Sequence, residues 1–169
     1  QMHIQPLTIQ IPQADLDDLQ DRLKRTRWPD EVDDAGWNYG ANLAYMQELI
    51  AYWCTTFDWR TQEQTINTFA NFRAEIDGVG IHFIHERGKG SNPLPLILTH
   101  GWPSSFAEML KIIPMLTDPK HYGADPADSF DVIVPSIPGF GFSDRPLQRG
   151  MTRSRVADLW VRLMEELGY

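Results

Sequence analysis

The sequence predicts an α/β fold in which a helical segment precedes a β-sheet, and three observations lead to that prediction. The apolar run Leu94–Thr99, bounded by Pro93 and Gly101, has the length and composition of a strand buried on both faces, as at the centre of a parallel sheet. A Gly/Pro loop follows this run, and the capping-box pattern Ser105–Glu108 then predicts the start of a helix. Before residue 72 the apolar residues recur at helical spacing, and from Phe72 they alternate, which indicates strands.

The composition is that of a globular protein and disfavours several classes of partner. The chain has 169 residues, 42% of them hydrophobic, and a formal net charge of −8 without a compensating basic block. Nucleic acid and anionic membrane surfaces are therefore not expected as partners, and a small neutral ligand is favoured. No apolar run reaches the ~18 residues of a membrane span, and no signal region is visible. We expect a cytoplasmic protein, and the first residue, Gln1, leaves a processed or trimmed start open.

The residue types that bind metals or form disulfides do not occur in the required patterns. Cys54 has no second thiol to pair with, so we expect an ordinary packed thiol. His82 and His85 fall on opposite faces of a predicted strand and cannot chelate one ion. The acidic residues of the stretch 125–131 lack the glycine and terminal glutamate of a calcium loop, so we expect a solvated loop there. No metal ion and no cofactor is predicted.

Residues 1–71 form the predicted helical lead segment. The alternation in Thr8–Ile11 predicts a short strand, and apolar spacing with favourably placed charges then predicts a helix over Gln13–Arg27. A second amphipathic pattern covers 43–57. The capping box Thr61–Gln64 predicts the start of a third, short helix.

Residues 72–169 predict the element order β, β, β, α, β, α. Strands at 72–76 and 81–86 flank a turn and indicate an antiparallel hairpin. After the strand at Leu94 we predict a helix from Ser105 to about Ile112, interrupted by Pro114, and then a parallel strand over Phe130–Pro135. Thr152 predicts the N-cap of the last helix, with Gly168 as its stop.

The loop His100-Gly101-Trp102-Pro103 is the predicted chemical centre. Gly101 permits an unusual backbone angle or a close approach, and Pro103 fixes φ. A loop between a strand and a helix start aims backbone N–H groups at one point beyond the strand's carboxyl end, where anionic character is stabilised.

This loop resembles the His-Gly-x-Pro loop of α/β-hydrolases and, more closely, that of the microsomal-type epoxide hydrolases. The same resemblance extends to six further stretches of the chain, which are Arg27–Glu31, Gly36–Gly40, Phe57–Arg60, Glu75–Gly78, Ile81–His85 and Pro138–Ser143. It implies that residues 72–169 are the first half of an α/β-hydrolase sheet. Residues 1–71 would be the lead segment that wraps the hydrolase body and its lid.

The resemblance also assigns roles to residues. The backbone N–H of Trp102 would be one oxyanion-hole donor, with His100, Gly101 and Pro103 shaping the loop and Trp102–Pro103 forming a cis peptide bond. The substrate, a small apolar epoxide, would contact the indole of Trp102 and the rings of Phe140 and Phe142. In this family an aspartate opens the epoxide to give an ester, and water then cleaves the ester to a vicinal diol.

The sequence contains no Gly-x-Ser-x-Gly and no Gly-x-Asp-x-Gly elbow. The family's nucleophile, base and ring-opening tyrosines would lie beyond Tyr169, so we expect the 169 residues alone to be inactive and to need a C-terminal remainder, in the same or a second chain. The strand Leu94–Thr99 would then lie beside the strand of Asp131–Pro135 and leave one edge open. Homo-oligomerisation stays open.

Two other functions remain open at this point. One is a different α/β-hydrolase, an esterase or dehalogenase, because fold alone does not determine chemistry. The other is a short, non-catalytic protein that binds an apolar ligand or partner. The coding sequence past Tyr169 would separate the three, since it would show an aspartate elbow, a serine elbow or a stop codon.

Overall fold

The computed structural model describes residues 3–169 and divides the chain into two compact units. One unit is the helical Ile9–Gln64. The other combines the residues up to Thr8 with Thr65–Tyr169 and contains the sheet. The strands and helices, in chain order, are β1 (Ile4–Pro6), α1 (Gln13–Lys24), α2 (Leu43–Thr55), α3 (Trp59–Asn67), β2 (Asn71–Ile76), β3 (Val79–Glu86), β4 (Leu94–Ile97), α4 (Ile113–Thr117), β5 (Phe130–Pro135) and α5 (Arg153–Glu166).

The described part of the chain forms a mixed five-stranded sheet of order β1-β2-β3-β5-β4. β4 and β5 are parallel and the other neighbours are antiparallel. The predicted hairpin is confirmed: Ile76 pairs with Val79, so only Asp77 and Gly78 form the turn, both at positive φ. Arg155 and Arg162 of α5 form ion pairs with the Asp77 carboxylate and hold the hairpin turn against the helix.

The core lies between the middle strands and α5. β2, β3 and β5 supply its fully buried side chains, and Leu159 and Leu163 pack on them from the helix, as their spacing predicts. Thr152 caps α5 by accepting a hydrogen bond from the N–H of Arg155, and Gly168 follows its end at a φ of +86°. Both predicted ends of this helix are confirmed.

β4 differs from its prediction in burial and in length. It ends at Ile97 instead of Thr99, and Leu94 is 62% exposed, so the prediction of a strand buried on both faces is wrong for this structure. Its place at an open edge beside β5 is confirmed. The physical reason is that β4 has a neighbouring strand on one side only, whereas β5 is covered on both sides and is the buried strand.

Three predictions for the lead segment differ from the structure. The alternating Thr8–Ile11 is not a strand; the first strand is β1, which pairs with β2 and so belongs to the sheet unit. α1 ends at Lys24 instead of Arg27. α3 begins at Trp59, because Asp58 and not Thr61 accepts the hydrogen bonds at its start, from the Arg60 N–H and from the Thr61 hydroxyl.

Two predictions for the residues that follow β4 also differ from the structure. The helix predicted from Ser105 to about Ile112 is a short 3₁₀ turn, Phe106–Met109, in which Ser105 accepts from the Ala107 N–H. Pro114 does not interrupt a helix but lies in the first turn of α4, where its missing N–H is tolerated. No helix within residues 3–169 is long and apolar enough to cross a membrane.

Candidate active site

Two loops meet at the edge of the sheet where β4 and β5 end. Because these strands are parallel, the loop that follows β4 and the loop that follows β5 leave the sheet at the same edge. A cleft of about 600 Å³ lies there, between the loops and the start of α5. Its lining is largely apolar and consists of Thr99, His100, Gly101, Trp102, Ile137, Pro138, Phe140, Pro146, Met151, Thr152, Arg153, Val156, Ala157 and Trp160.

His100 forms hydrogen bonds with both loops. It is only 3% exposed, and its Nε2 accepts a hydrogen bond from the Ile137 N–H at 3.1 Å. Nε2 therefore carries no proton, so the proton of the neutral ring is on Nδ1, which donates to the carbonyl oxygen of Gly101 at 3.0 Å. Through these two bonds His100 connects the loop after β4 with the loop after β5.

The same hydrogen bond orients the peptide unit that carries the Trp102 N–H. The Gly101 carbonyl and the Trp102 N–H belong to one planar peptide and point in opposite directions. The Gly101 carbonyl accepts from His100 and also from the Ser104 N–H at 3.1 Å, and holding it on that side directs the Trp102 N–H to the other. No described residue accepts a hydrogen bond from that N–H, so it is available to a ligand.

The other residues of this loop are Gly101 and the Trp102–Pro103 pair. The cis Trp102–Pro103 bond is confirmed. Gly101 adopts no positive φ, and apart from its chain neighbours no heavy atom of the described residues lies within 4 Å of where its Cβ would be. This side of the loop is open in the structure. The Gly101 N–H instead donates to Glu108 at 3.4 Å.

The structure separates two phenylalanines that the sequence analysis placed together. Phe140 lines the cleft, with its ring 5.3 Å from that of His100. Phe142 is not part of the lining; its ring lies edge-on to His82 at 5.3 Å and close to Phe106. Successive tight turns cause the difference, because the Phe140 N–H donates to Ile137 and the Phe140 carbonyl accepts from Ser143.

Thr99 and Trp160 are lining residues that the sequence analysis missed. The indole N–H of Trp160 donates to the Thr99 hydroxyl at 3.0 Å and ties the end of the β4 segment to α5. The signal was present in the sequence: Trp160 directly follows Leu159, so it lies at the border of the helix face that was assigned to the sheet.

The loop after β5 is fixed by a charged contact as well. Arg73 donates to Asp144 at 2.7 Å, and the same carboxylate accepts from the Gly80 N–H at 3.0 Å. The hydrogen bond from Arg73 is the main reason why the pKa of Asp144 is lowered. This contact attaches the loop to the β2–β3 hairpin.

A second polar cluster lies at the opposite end of β5 and is remote from the cleft. Asp131 is buried and accepts from the Tyr169 hydroxyl at 2.7 Å, from the Gly88 N–H and from Arg87. Its burial corrects the expectation of a solvated acidic stretch. Burial and the bond to Asp131 raise the pKa of Tyr169 to about 12.

Comparison with known proteins identifies the family to which the chain belongs. The family model described as epoxide hydrolase N terminus matches residues 4–109. The chain belongs to this epoxide hydrolase family. A second model, described as alpha/beta hydrolase fold, matches residues 95–169, so the resemblance inferred from the loop motif is confirmed.

Curated relatives of the chain are considerably longer. It is 51% identical over 166 residues to a putative epoxide hydrolase of Stigmatella aurantiaca, covering 98% of the chain and 38% of the relative. It is 38% identical over 170 residues to epoxide hydrolase 1 of Sus scrofa, covering 98% of the chain and 37% of the relative. The chain thus spans less than two fifths of the length of either protein.

Solved structures of epoxide hydrolases share the fold of this chain. The juvenile hormone epoxide hydrolase of the silkworm Bombyx mori superposes with a TM-score of 0.88 at 30% identity, covering 100% of this chain and 45% of that one. Aspergillus niger epoxide hydrolase gives 0.83 at 30% identity, covering 99% and 44%. The sheet is therefore the N-terminal part of an α/β-hydrolase fold.

Proposed function

We propose that this chain supplies the oxyanion-binding loop of an epoxide hydrolase that converts an apolar epoxide to a vicinal diol. A carboxylate from the remainder of the protein attacks an epoxide carbon, the carbon–oxygen bond of the ring breaks, the ring oxygen takes up a proton from an acid of that remainder, and a hydroxy ester forms. A base of the remainder then takes a proton from water as the water adds to the ester carbonyl, the diol leaves with a proton on its departing oxygen, and the carboxylate is restored. The Trp102 N–H stabilises the oxyanion that forms when water adds.

The unpaired Trp102 N–H at the carboxyl end of β4 is the observation on which this proposal rests. His100 orients its peptide through the Gly101 carbonyl, and the residue lines a largely apolar cleft. This is the placement required of an oxyanion donor beside an apolar substrate. The names of the relatives support epoxide hydrolysis over ester or haloalkane hydrolysis.

The test compares the intact protein that contains this chain with residues 1–169 alone. We expect the intact protein to hydrolyse styrene-type epoxides through an intermediate that acid quenching traps as a covalent ester. Residues 1–169 alone should show no turnover and should self-associate, because the edge of β4 is open and Leu94 is exposed.

Two results would contradict the proposal. Hydrolysis of p-nitrophenyl esters without epoxide turnover would indicate an esterase. A monomeric 1–169 fragment with a sharp cooperative thermal transition would favour a short binding protein.

The indole of Trp102 should act on substrate affinity and not on the chemical steps. It is 82% exposed and lines the cleft, and Trp102→Ala keeps the backbone N–H. We expect the KM for an aromatic epoxide to rise about 10-fold, as the loss of one aromatic contact implies, with little change in kcat. Steady-state kinetics with an aromatic and a short polar epoxide measure this effect.

Tyr122→Ala, which removes an exposed aromatic side chain from a turn before β5, is the matched control and should leave both substrates unaffected. An equal loss for the two epoxides in Trp102→Ala would exclude the indole as a substrate wall.

A further inference from the structure

We propose that His82, a buried histidine of β3 outside the cleft, is a positioning residue for the ester-hydrolysis step, acting through Ser136 and His100 on the Trp102 N–H. The inference rests on the proposed function and extends it to a residue that does not contact the substrate.

The hydrogen bonds of His82 fix its tautomer. The side-chain amide of Asn71 donates to the carbonyls of Ile66 and Phe69 at 2.8 and 3.0 Å, so its Oδ1 faces His82 and can only accept. Nε2 of His82 therefore carries the proton and donates to Asn71 at 2.8 Å. Nδ1 must then accept from the Ser136 hydroxyl, also at 2.8 Å.

His82 holds the end of β5 by its backbone as well as its ring. Its carbonyl accepts from the Ser136 N–H at 2.8 Å. Its own N–H donates to the Ser143 hydroxyl, which in turn donates to the Ser136 carbonyl at 2.7 Å. Gly141 closes this arrangement, because a Cβ at that position, where φ is +51°, would lie 2.5 Å from the Ser136 hydroxyl oxygen. Ser136, the first residue after β5, is thus held by both its backbone and its side chain.

Ser136 is one peptide away from the group that orients His100. The next residue, Ile137, donates its N–H to Nε2 of His100, and Nδ1 of His100 holds the peptide that carries the Trp102 N–H. A series of hydrogen bonds, joined between Ser136 and Ile137 by the covalent chain, thus runs from Asn71 to the peptide that carries the proposed oxyanion donor. The two histidines have opposite neutral tautomers, each imposed by its partners.

The hydrogen bonds of His82 and Ser136 connect two parts of the sheet that strand pairing alone does not connect. β3 pairs with β5 and not with β4, so the ladder alone does not connect β3 to the loop after β4. The polar series supplies that connection across the end of β5. A shift of Ser136 by a few tenths of an ångström would also shift the Trp102 N–H. The alignment of that N–H with the oxyanion determines how well the negative charge is stabilised.

The two serines that flank β5 allow a matched experiment. Ser129 precedes the strand and Ser136 follows it; both are buried, and Ser129 accepts from the Gly90 N–H at 3.0 Å, at the end of the strand remote from the cleft. In the intact protein we expect Ser136→Ala to slow ester hydrolysis about 10-fold in single-turnover kinetics while ester formation stays within about twofold. Ser129→Ala should slow neither step.

A second readout does not depend on activity. In protein labelled with ¹⁵N-histidine, the Nδ1 proton of His100 should exchange faster with solvent in Ser136→Ala than in the wild type, and be unchanged in Ser129→Ala. His82→Gln, which keeps one donor and one acceptor, should retain more of the hydrolysis rate than His82→Leu. If His82→Leu fails to fold, Ser136→Ala still tests the proposal.

Equal slowing of both steps by Ser136→Ala, or unchanged ester hydrolysis and proton exchange, would overturn the proposal. A wild type that forms no ester would instead refute the proposed function, and with it the catalytic role of His82. In that case the exchange of the His100 proton still decides whether His82 and Ser136 position His100.

Discussion

Replacing His100 by leucine should slow hydrolysis of the ester intermediate on the order of 10²-fold, the typical cost of losing one oxyanion-hole donor. Leucine removes both hydrogen bonds of the ring, so the Gly101 carbonyl keeps only the bond from the Ser104 N–H at 3.1 Å and the peptide bearing the Trp102 N–H is held less firmly. Formation of the ester depends on attack at an epoxide carbon and should change much less. Rapid-quench measurement of both steps in the intact protein tests this.

His121→Leu is the control for removing an imidazole. His121 is exposed and lies in a 3₁₀ turn before β5, away from the cleft, so both steps should keep their wild-type rates. Should His100→Leu slow ester formation as much as hydrolysis, His100 would not act through the oxyanion donor. Saturable rescue by imidazole would likewise argue for a direct proton-transfer role.

The stability of the protein should fall as the pH is lowered from 6.5 to 4, and His82 should be the main cause. Burial lowers the pKa of His82 from 6.5 to about 4, and its ring partners, Asn71 and Ser136, are uncharged. The unfolded chain therefore binds a proton that the folded chain does not, so the free energy of unfolding decreases toward acid pH. At about 1.4 kcal/mol per pKa unit, the loss attributable to His82 is about 3 kcal/mol.

Urea denaturation at several values between pH 7.5 and pH 4 measures this loss. His82→Gln should be less stable at pH 7.5 and should lose most of the dependence on pH. A smaller slope of the same sign should remain, because burial and the nearby Arg87 also lower the pKa of His85. An unchanged slope in His82→Gln would assign the pH dependence to other groups.

The sequence by itself determined the elements whose cause is local. The turn at Asp77 and Gly78, the Thr152 cap and the Gly168 stop depend on residues within a few positions of one another, so their types are sufficient to predict them. The loop motif at His100–Pro103 was recognisable for the same reason, since it is contiguous in the chain. The resemblance to the epoxide hydrolase family follows from this motif.

Tertiary structure alone decided which partners the polar side chains have. Nothing near His82 in the sequence indicates that its ring lies between Asn71 and Ser136, 11 and 54 residues away. Within residues 3–169 the strand pairing also decided that β4 has only one neighbouring strand and exposed side chains, although it is as apolar as a central strand.

Phe140 and Phe142 show the same limit at the site itself. Their motif suggests one common role, yet two consecutive turns direct one ring into the cleft and the other against His82. Composition measures how strongly a segment favours burial, whereas its actual burial and contacts depend on the segments that pack against it, and those are distant in the chain.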